Sequence, residues 1–230
     1  MPLRLLLHNG YVLNYSKITA STGAAIYAYR SGGLPSLRTL GITKLLTRYE
    51  GYVEAPKSYP GKQMIPISFD FPTDWLQLDK LGGGIQYVDQ RNGDKLYVLH
   101  AILPEGTDMK NVNKQWFADV ILSPEGDVAR SGVVAEGGRI SRSQMIVDCN
   151  PAEGDVPSPP CMPRRRLILK YDTVTGSGVQ TVERRGLIDA YQVDKDVYMM
   201  LTTSNAVKFE QKGSKERETV DTIVNSFKIG

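Results

Sequence analysis

The chain has 230 residues, 41% of them hydrophobic and 23% charged, with a formal net charge of +3. That balance suits a globular core and is too weakly basic to argue for nucleic acid. No stretch approaches the ~18 uninterrupted apolar residues of a membrane-spanning helix, and the short apolar run after Met1-Pro2 lacks the small-residue site of a cleaved signal peptide.

Residues 1–61 do not have the pattern of a domain. Tyr11, Tyr15, Tyr27, Tyr29, Tyr49, Tyr52 and Tyr59 are scattered among Gly, Ser, Thr and Lys. One helical patch runs from Leu34-Pro35-Ser36 to Tyr49, where Leu37, Leu40, Ile42, Leu45, Leu46 and Tyr49 recur at near-helical spacing. Pro35 suits a helix start. The segment is too apolar for a solvated tail and too irregular for its own core. An extended arm that lays its tyrosines on a partner meets both conditions, because Tyr suits half-wet interfaces. An arm wrapping its own domain is the alternative.

Residues 62–230 read as one domain. Met64 to Phe71 alternates as a strand, with Pro66 placing it near an edge or a strand start. Gly84–Asp89 and Lys95–Ile102 flank Arg91-Asn92-Gly93-Asp94, a hairpin signal because Asn and Gly accept positive φ. Residues 109–122 space Met109, Val112, Trp116, Phe117, Val120 and Ile121 for a short amphipathic helix, stopped by Pro124 and Gly126. Gly132 to Pro163 reads as loop. Three strand runs follow, Arg166–Val174, Val179–Val193 and Val197–Thr203, joined by tight turns into an antiparallel meander. A helix from about Ser214 to Ser226 closes the chain, with Val220, Ile223, Val224 and Phe227 on one stripe. The fold class expected is α+β: an antiparallel β-sheet flanked by helices, with an extended N-terminal arm.

Cys149 and Cys161 bracket a Pro- and Gly-rich segment. Only His8 and His100 could join them as metal ligands, and the CxxC spacing of a redox pair is absent. A local disulfide would add about 3 kcal/mol by restricting the unfolded loop and would imply an oxidising compartment. Two free thiols are the alternative.

Catalytic signals are weak. Gly82-Gly83-Gly84 lacks the Lys-Ser/Thr of a P-loop and the GxGxxG spacing. His100 sits in an expected strand without a nucleophile-elbow sequence anywhere in the chain. Asp189, Asp194 and Asp196 cluster at a turn, where Asp is favoured for its backbone geometry, although they could gather a cation weakly. The basic residues are more suggestive. With the turn centred on Gly176-Ser177, Arg184 and Arg185 fall opposite Leu169 and Ile168, close to Arg164, Arg165 and Arg166. Unpaired, such a cluster would favour a partner carrying carboxylates or phosphates. A solvated edge that discourages strand aggregation is the alternative.

The ordered set of elements from Gln63 onward resembles the PsbP family of extrinsic thylakoid-lumen proteins. The resemblance is carried by Phe69-Asp70-Phe71-Pro72-Thr73-Asp74-Trp75, by Gly84–Asp89 with Leu96-Tyr97-Val98, by the Asp194-Lys195-Asp196-Val197-Tyr198 turn, and by the closing Thr219–Phe227. It implies a PsbP-like α/β/α sandwich and a non-catalytic, cofactor-free subunit of the chloroplast thylakoid lumen. Such a subunit docks peripherally on a photosynthetic membrane complex without spanning the membrane, and binds no nucleic acid. Photosystem II, on its oxygen-evolving side, is the first host implied, with the photosystem core and other lumenal subunits as partners. Photosystem I, an NAD(P)H dehydrogenase-like complex and a transient assembly role are the alternatives. The lumen is oxidising, which would preserve a Cys149–Cys161 disulfide.

Overall fold

A computed structural model describes residues 45–56, 64–78, 84–130, 134–147, 162–174 and 180–230. The chain divides into two compact units, Met1–Leu45 and Leu46–Gly230. The described elements lie in the second. Its strands are β1 (Leu46–Glu54), β2 (Met64–Pro72), β3 (Leu76–Gln77), β4 (Ile85–Val88), β5 (Lys95–Ile102), β6 (Val134–Ile146), β7 (Arg164–Val174), β8 (Thr181–Val193), β9 (Asp196–Asn205) and β10 (Lys228–Ile229). Its helices are α1 (Lys114–Ile121), α2 (Asp127–Arg130), α3 (Ala206–Glu210) and α4 (Lys215–Ser226).

Seven strands form one antiparallel sheet in the order β3-β4-β5-β9-β8-β7-β6, and β1-β2-β10 form a second. The architecture is α+β, as expected. β9 lies at the centre of the large sheet, and its residues alternate between two cores. Tyr198 and Met200 face one, with Val197, Met199 and Leu201 facing the other. The first core packs the large sheet against β2, β10 and α4 through Phe69, Phe71, Tyr87, Leu96, Val220, Ile223, Val224 and Phe227. The second packs it against α1 through Phe117, Ala118 and Ile121. Burying an aliphatic side chain in either contributes roughly 1.5–3 kcal/mol, which is what fixes these layers.

Local chemistry explains the ends of the elements. Ser214 caps α4 by accepting a hydrogen bond from the Arg217 N–H at 3.1 Å. Asn113 caps α1 by accepting from the Gln115 N–H at 2.9 Å. The β4–β5 hairpin turns at Asn92-Gly93, where Gly93 has φ +67°. In the β8–β9 turn Asp194 takes φ +60°, a conformation that Asp tolerates better than most residues.

Several expectations about elements and register require correction. The helix expected through Tyr49 is strand over Leu46–Tyr49, because β1 pairs antiparallel with β2 along its whole length; residues 34–44 lie outside the described set. β1 lies in the second unit, which begins at Leu46. The span from Gly132 read as loop contains β6, which pairs with β7 despite irregularities between Glu136 and Arg139 and between Ile140 and Arg142. Gly137, at φ +64°, supplies the left-handed residue that the first irregularity needs. Finally, Arg184 and Arg185 lie opposite Tyr171 and Lys170, which shifts the turn centre by one residue. The helix expected over 109–122 is α1 alone, with turns before it, and β2 is the middle strand of its sheet, with Pro66 near its start.

Candidate functional site

The five arginines singled out in the sequence are not an unpaired cluster. Arg166 makes a two-pronged contact with Asp189: its Nε donates to Oδ1 at 2.7 Å and its Nη2 to Oδ2 at 2.6 Å. Arg164 Nε lies 3.1 Å from the same Oδ2. Asp189 is fully buried, so this triad is a desolvated charge centre at the β7–β8 pairing. The hydrogen bond to Asp189 holds the Arg166 guanidinium above its ordinary range.

Arg165 points to the other face. Its Nη1 donates to the carbonyls of Met109 and Val112 at 2.7 and 2.9 Å, and its Nε to the Ser143 hydroxyl at 2.7 Å. Burial lowers its pKa. Arg184 pairs with Asp94 at 3.3 Å, and Arg185 pairs with Glu183 and Glu210 at 2.8 and 2.9 Å. These side chains hold strands and loops together.

His100 lies half-exposed on β5, paired with Asp196 and stacked on Tyr198 with ring centroids 5.1 Å apart. Among the described residues no cluster of three or more His, Cys, Asp or Glu side chains could hold a metal. An open depression of about 240 Å³ lies by Asp108, Met109, Lys110, Gln192 and Asp194. Its amide is occupied: Gln192 Oε1 accepts from the Met109 N–H at 2.8 Å, and Nε2 donates to the Asp194 carbonyl at 2.7 Å.

The tyrosines separate into two groups. Tyr11, Tyr15, Tyr27 and Tyr29 lie outside the described residues, as do Cys149 and Cys161. Tyr49 and Tyr52 are both on β1, with opposite fates. Tyr49 faces inward and stacks on Phe69 at 4.8 Å, so for this residue the domain-wrapping alternative holds. Tyr52 faces outward and is 65% exposed.

Tyr52 lies opposite Pro66, and Met64 opposite Glu54. With Leu46 at 41% and Met64 at 46% exposure, the outer face of β1 and β2 presents apolar groups around the Arg48–Glu50 ion pair, 3.2 Å apart. The sequence reading placed Leu46 on a helical stripe and Met64 in a strand, neither of them on an exposed face. The alternation Leu46-Arg48-Glu50-Tyr52-Glu54 was the signal that could have found this face.

No protein-family model matches the chain, and no curated protein matches it by sequence. Among solved structures, the chain is similar to cyanobacterial PsbP (CyanoP) from Synechocystis sp. PCC 6803, at 15% identity and TM-score 0.46, covering 83% of this chain and 95% of that one. It is similar to the Ran-binding protein Mog1p of Saccharomyces cerevisiae at 10% identity and TM-score 0.42, covering 79% and 96%. It is also similar to LpqN of Mycobacterium tuberculosis, involved in cell envelope biogenesis, at 15% identity and TM-score 0.39, covering 79% and 91%. Likenesses this distant assign no function to the chain. Among the described residues no helix is long and apolar enough to cross a membrane.

Proposed function

We propose that this chain is a non-catalytic docking protein that sits peripherally on the lumenal side of a photosynthetic membrane complex, with photosystem II as the first candidate host. One observation carries the reading. The stretches on which the PsbP resemblance rests are distant in sequence, yet each supplies side chains to the same core: Phe69, Phe71 and Trp75 from the first, Tyr87 and Leu96 from the hairpin, Tyr198 from the start of β9, and Val220 and Ile223 of α4 with Phe227 just after it. The resemblance therefore concerns residues that pack together. Function stays with surfaces outside that core, and the docking role is assigned to residues 1–45, which carry Tyr11, Tyr15, Tyr27 and Tyr29.

Arg164 and Arg166 are paired with the buried Asp189, so their first role is within the domain, and the docking proposal does not rest on them. The test is to separate solubilised thylakoids from the source organism and quantify this chain across the fractions by mass spectrometry. Migration with mature photosystem II in fixed stoichiometry is the expected result. Stoichiometric migration with photosystem I or a dehydrogenase-like complex reassigns the host. Sub-stoichiometric association with immature complexes alone identifies an assembly factor, and free migration rejects docking.

A further inference from the structure

Among the described residues β1 has one strand neighbour, β2, and forms an edge of its sheet. The direction of its backbone groups follows from that neighbour. Asp70 of β2 uses its N–H on the Ser226 hydroxyl at 2.8 Å, and its carbonyl accepts from the same hydroxyl at 3.4 Å. Pro66 has no N–H, and its carbonyl accepts from the Gly230 N–H at 2.9 Å. Both residues thus turn their polar groups away from β1. Arg48 and Tyr52 are their opposite numbers, so they sit at non-hydrogen-bonded positions of the β1–β2 pair and direct N–H and C=O to the outer edge. By alternation, Leu46 and Glu50 do the same. Their side chains also share one face: Leu46, Arg48, Glu50 and Tyr52 all point outward.

Exposed edges of this kind pair with other strands unless something prevents it. The sequence of this edge chooses its complement. In a two-fold antiparallel pairing centred on Tyr49, Arg48 meets Glu50 of the second copy and Glu50 meets Arg48. Leu46 meets Tyr52, and Tyr52 meets Leu46. Both charges are matched and both exposed apolar side chains gain apolar partners, as cross-strand neighbours that interact directly. Centring on Glu50 instead sets Glu50 against Glu50, a like-charge pair. Centring between two residues would mix inward and outward faces, which the buried inner face of β1 forbids.

We propose that β1 is a self-recognition edge, and that two copies of this chain associate through antiparallel β1–β1 pairing centred on Tyr49, joining their three-stranded sheets. The interface is isologous, as a two-fold dimer requires. It is independent of which complex hosts the protein.

Light scattering on the full chain, loaded over about 1–300 μM because so small an interface binds weakly, is the test. The average mass should rise with concentration from one chain toward two. Arg48→Glu and Glu50→Arg each create two like-charge contacts in the proposed register, and each should weaken self-association by about tenfold or more. Mixing the two variants restores opposite charges at both contacts, so the mixture should form heterodimers, and the double variant R48E/E50R should again associate with itself. Circular dichroism establishes that each variant is folded. A full chain that stays monomeric across the range overturns the proposal. A dimer indifferent to either single variant, or a mixture that fails to recover association, overturns this edge or this register.

Discussion

Asp189 is the residue on which the β7–β8 pairing turns. It is fully buried between Arg164 and Arg166, and its removal leaves two guanidinium groups facing an uncompensated site. Asp189→Ala is expected to cost about 3–5 kcal/mol, read as a lower urea midpoint with an unchanged slope. Asp94 is a second buried carboxylate with a different signature. Burial raises its pKa from 3.8 to about 6, against the opposing pull of Arg184 and the Ser204 hydroxyl. A raised carboxyl binds its proton more tightly in the folded chain. Its stabilising contribution is therefore complete below pH 3.8 and is lost as pH rises through about 6. The full swing is on the order of 3 kcal/mol. Asp94→Asn should flatten the urea midpoint between those pH values relative to the parent, and an unchanged pH profile would remove Asp94 from the explanation.

At the scale of elements, β1 depends on a few contacts. Tyr49 lies across Gly51, so that a Cβ at position 51 would collide with its ring, and the ring reaches Phe69. The Tyr198 hydroxyl donates to the Glu54 carbonyl at 2.6 Å and fixes the end of the strand. Gly51→Val should displace Tyr49, at a cost of about 1–3 kcal/mol. Tyr198→Phe should cost about 1 kcal/mol, and both should speed amide exchange along β2 opposite β1. Exchange unaltered by Gly51→Val would contradict the packing described.

These contacts also show what could be read in the sequence. The meander, the Asn92-Gly93 turn and the stripe of α4 were legible because period and turn chemistry agreed there. β1 was not: Leu46 and Tyr49 are three apart and satisfy a helical stripe, while its inward face includes Thr47 and Gly51, which carry little apolar signal. β6 was hidden by its two irregularities, which break the period of two. For the arginines the turn centre was one residue off. In the observed register Arg166 stands directly across from Asp189. The outward Tyr52 was legible, but its neighbours Met64 and Leu46 became a surface only through the β1–β2 register.

At the scale of the whole molecule, the division after Leu45 sets Met1–Leu45, with Tyr11, Tyr15, Tyr27 and Tyr29, and Leu46–Gly230 apart as two compact units. A cut at residue 61 would remove β1 and expose Phe69. A cut after Leu45 leaves β1 intact. The proposed docking role therefore makes a specific claim about residues 1–45, and the most direct measurement compares the full chain with one lacking them, each added to thylakoid membranes depleted of the native protein. The shortened chain is expected to melt cooperatively, with the β1–β2 pairing retained, and to fail to co-purify with the host complex that the full chain joins. Undiminished co-purification of the shortened chain would contradict docking through the N-terminal residues and move the interface onto Leu46–Gly230.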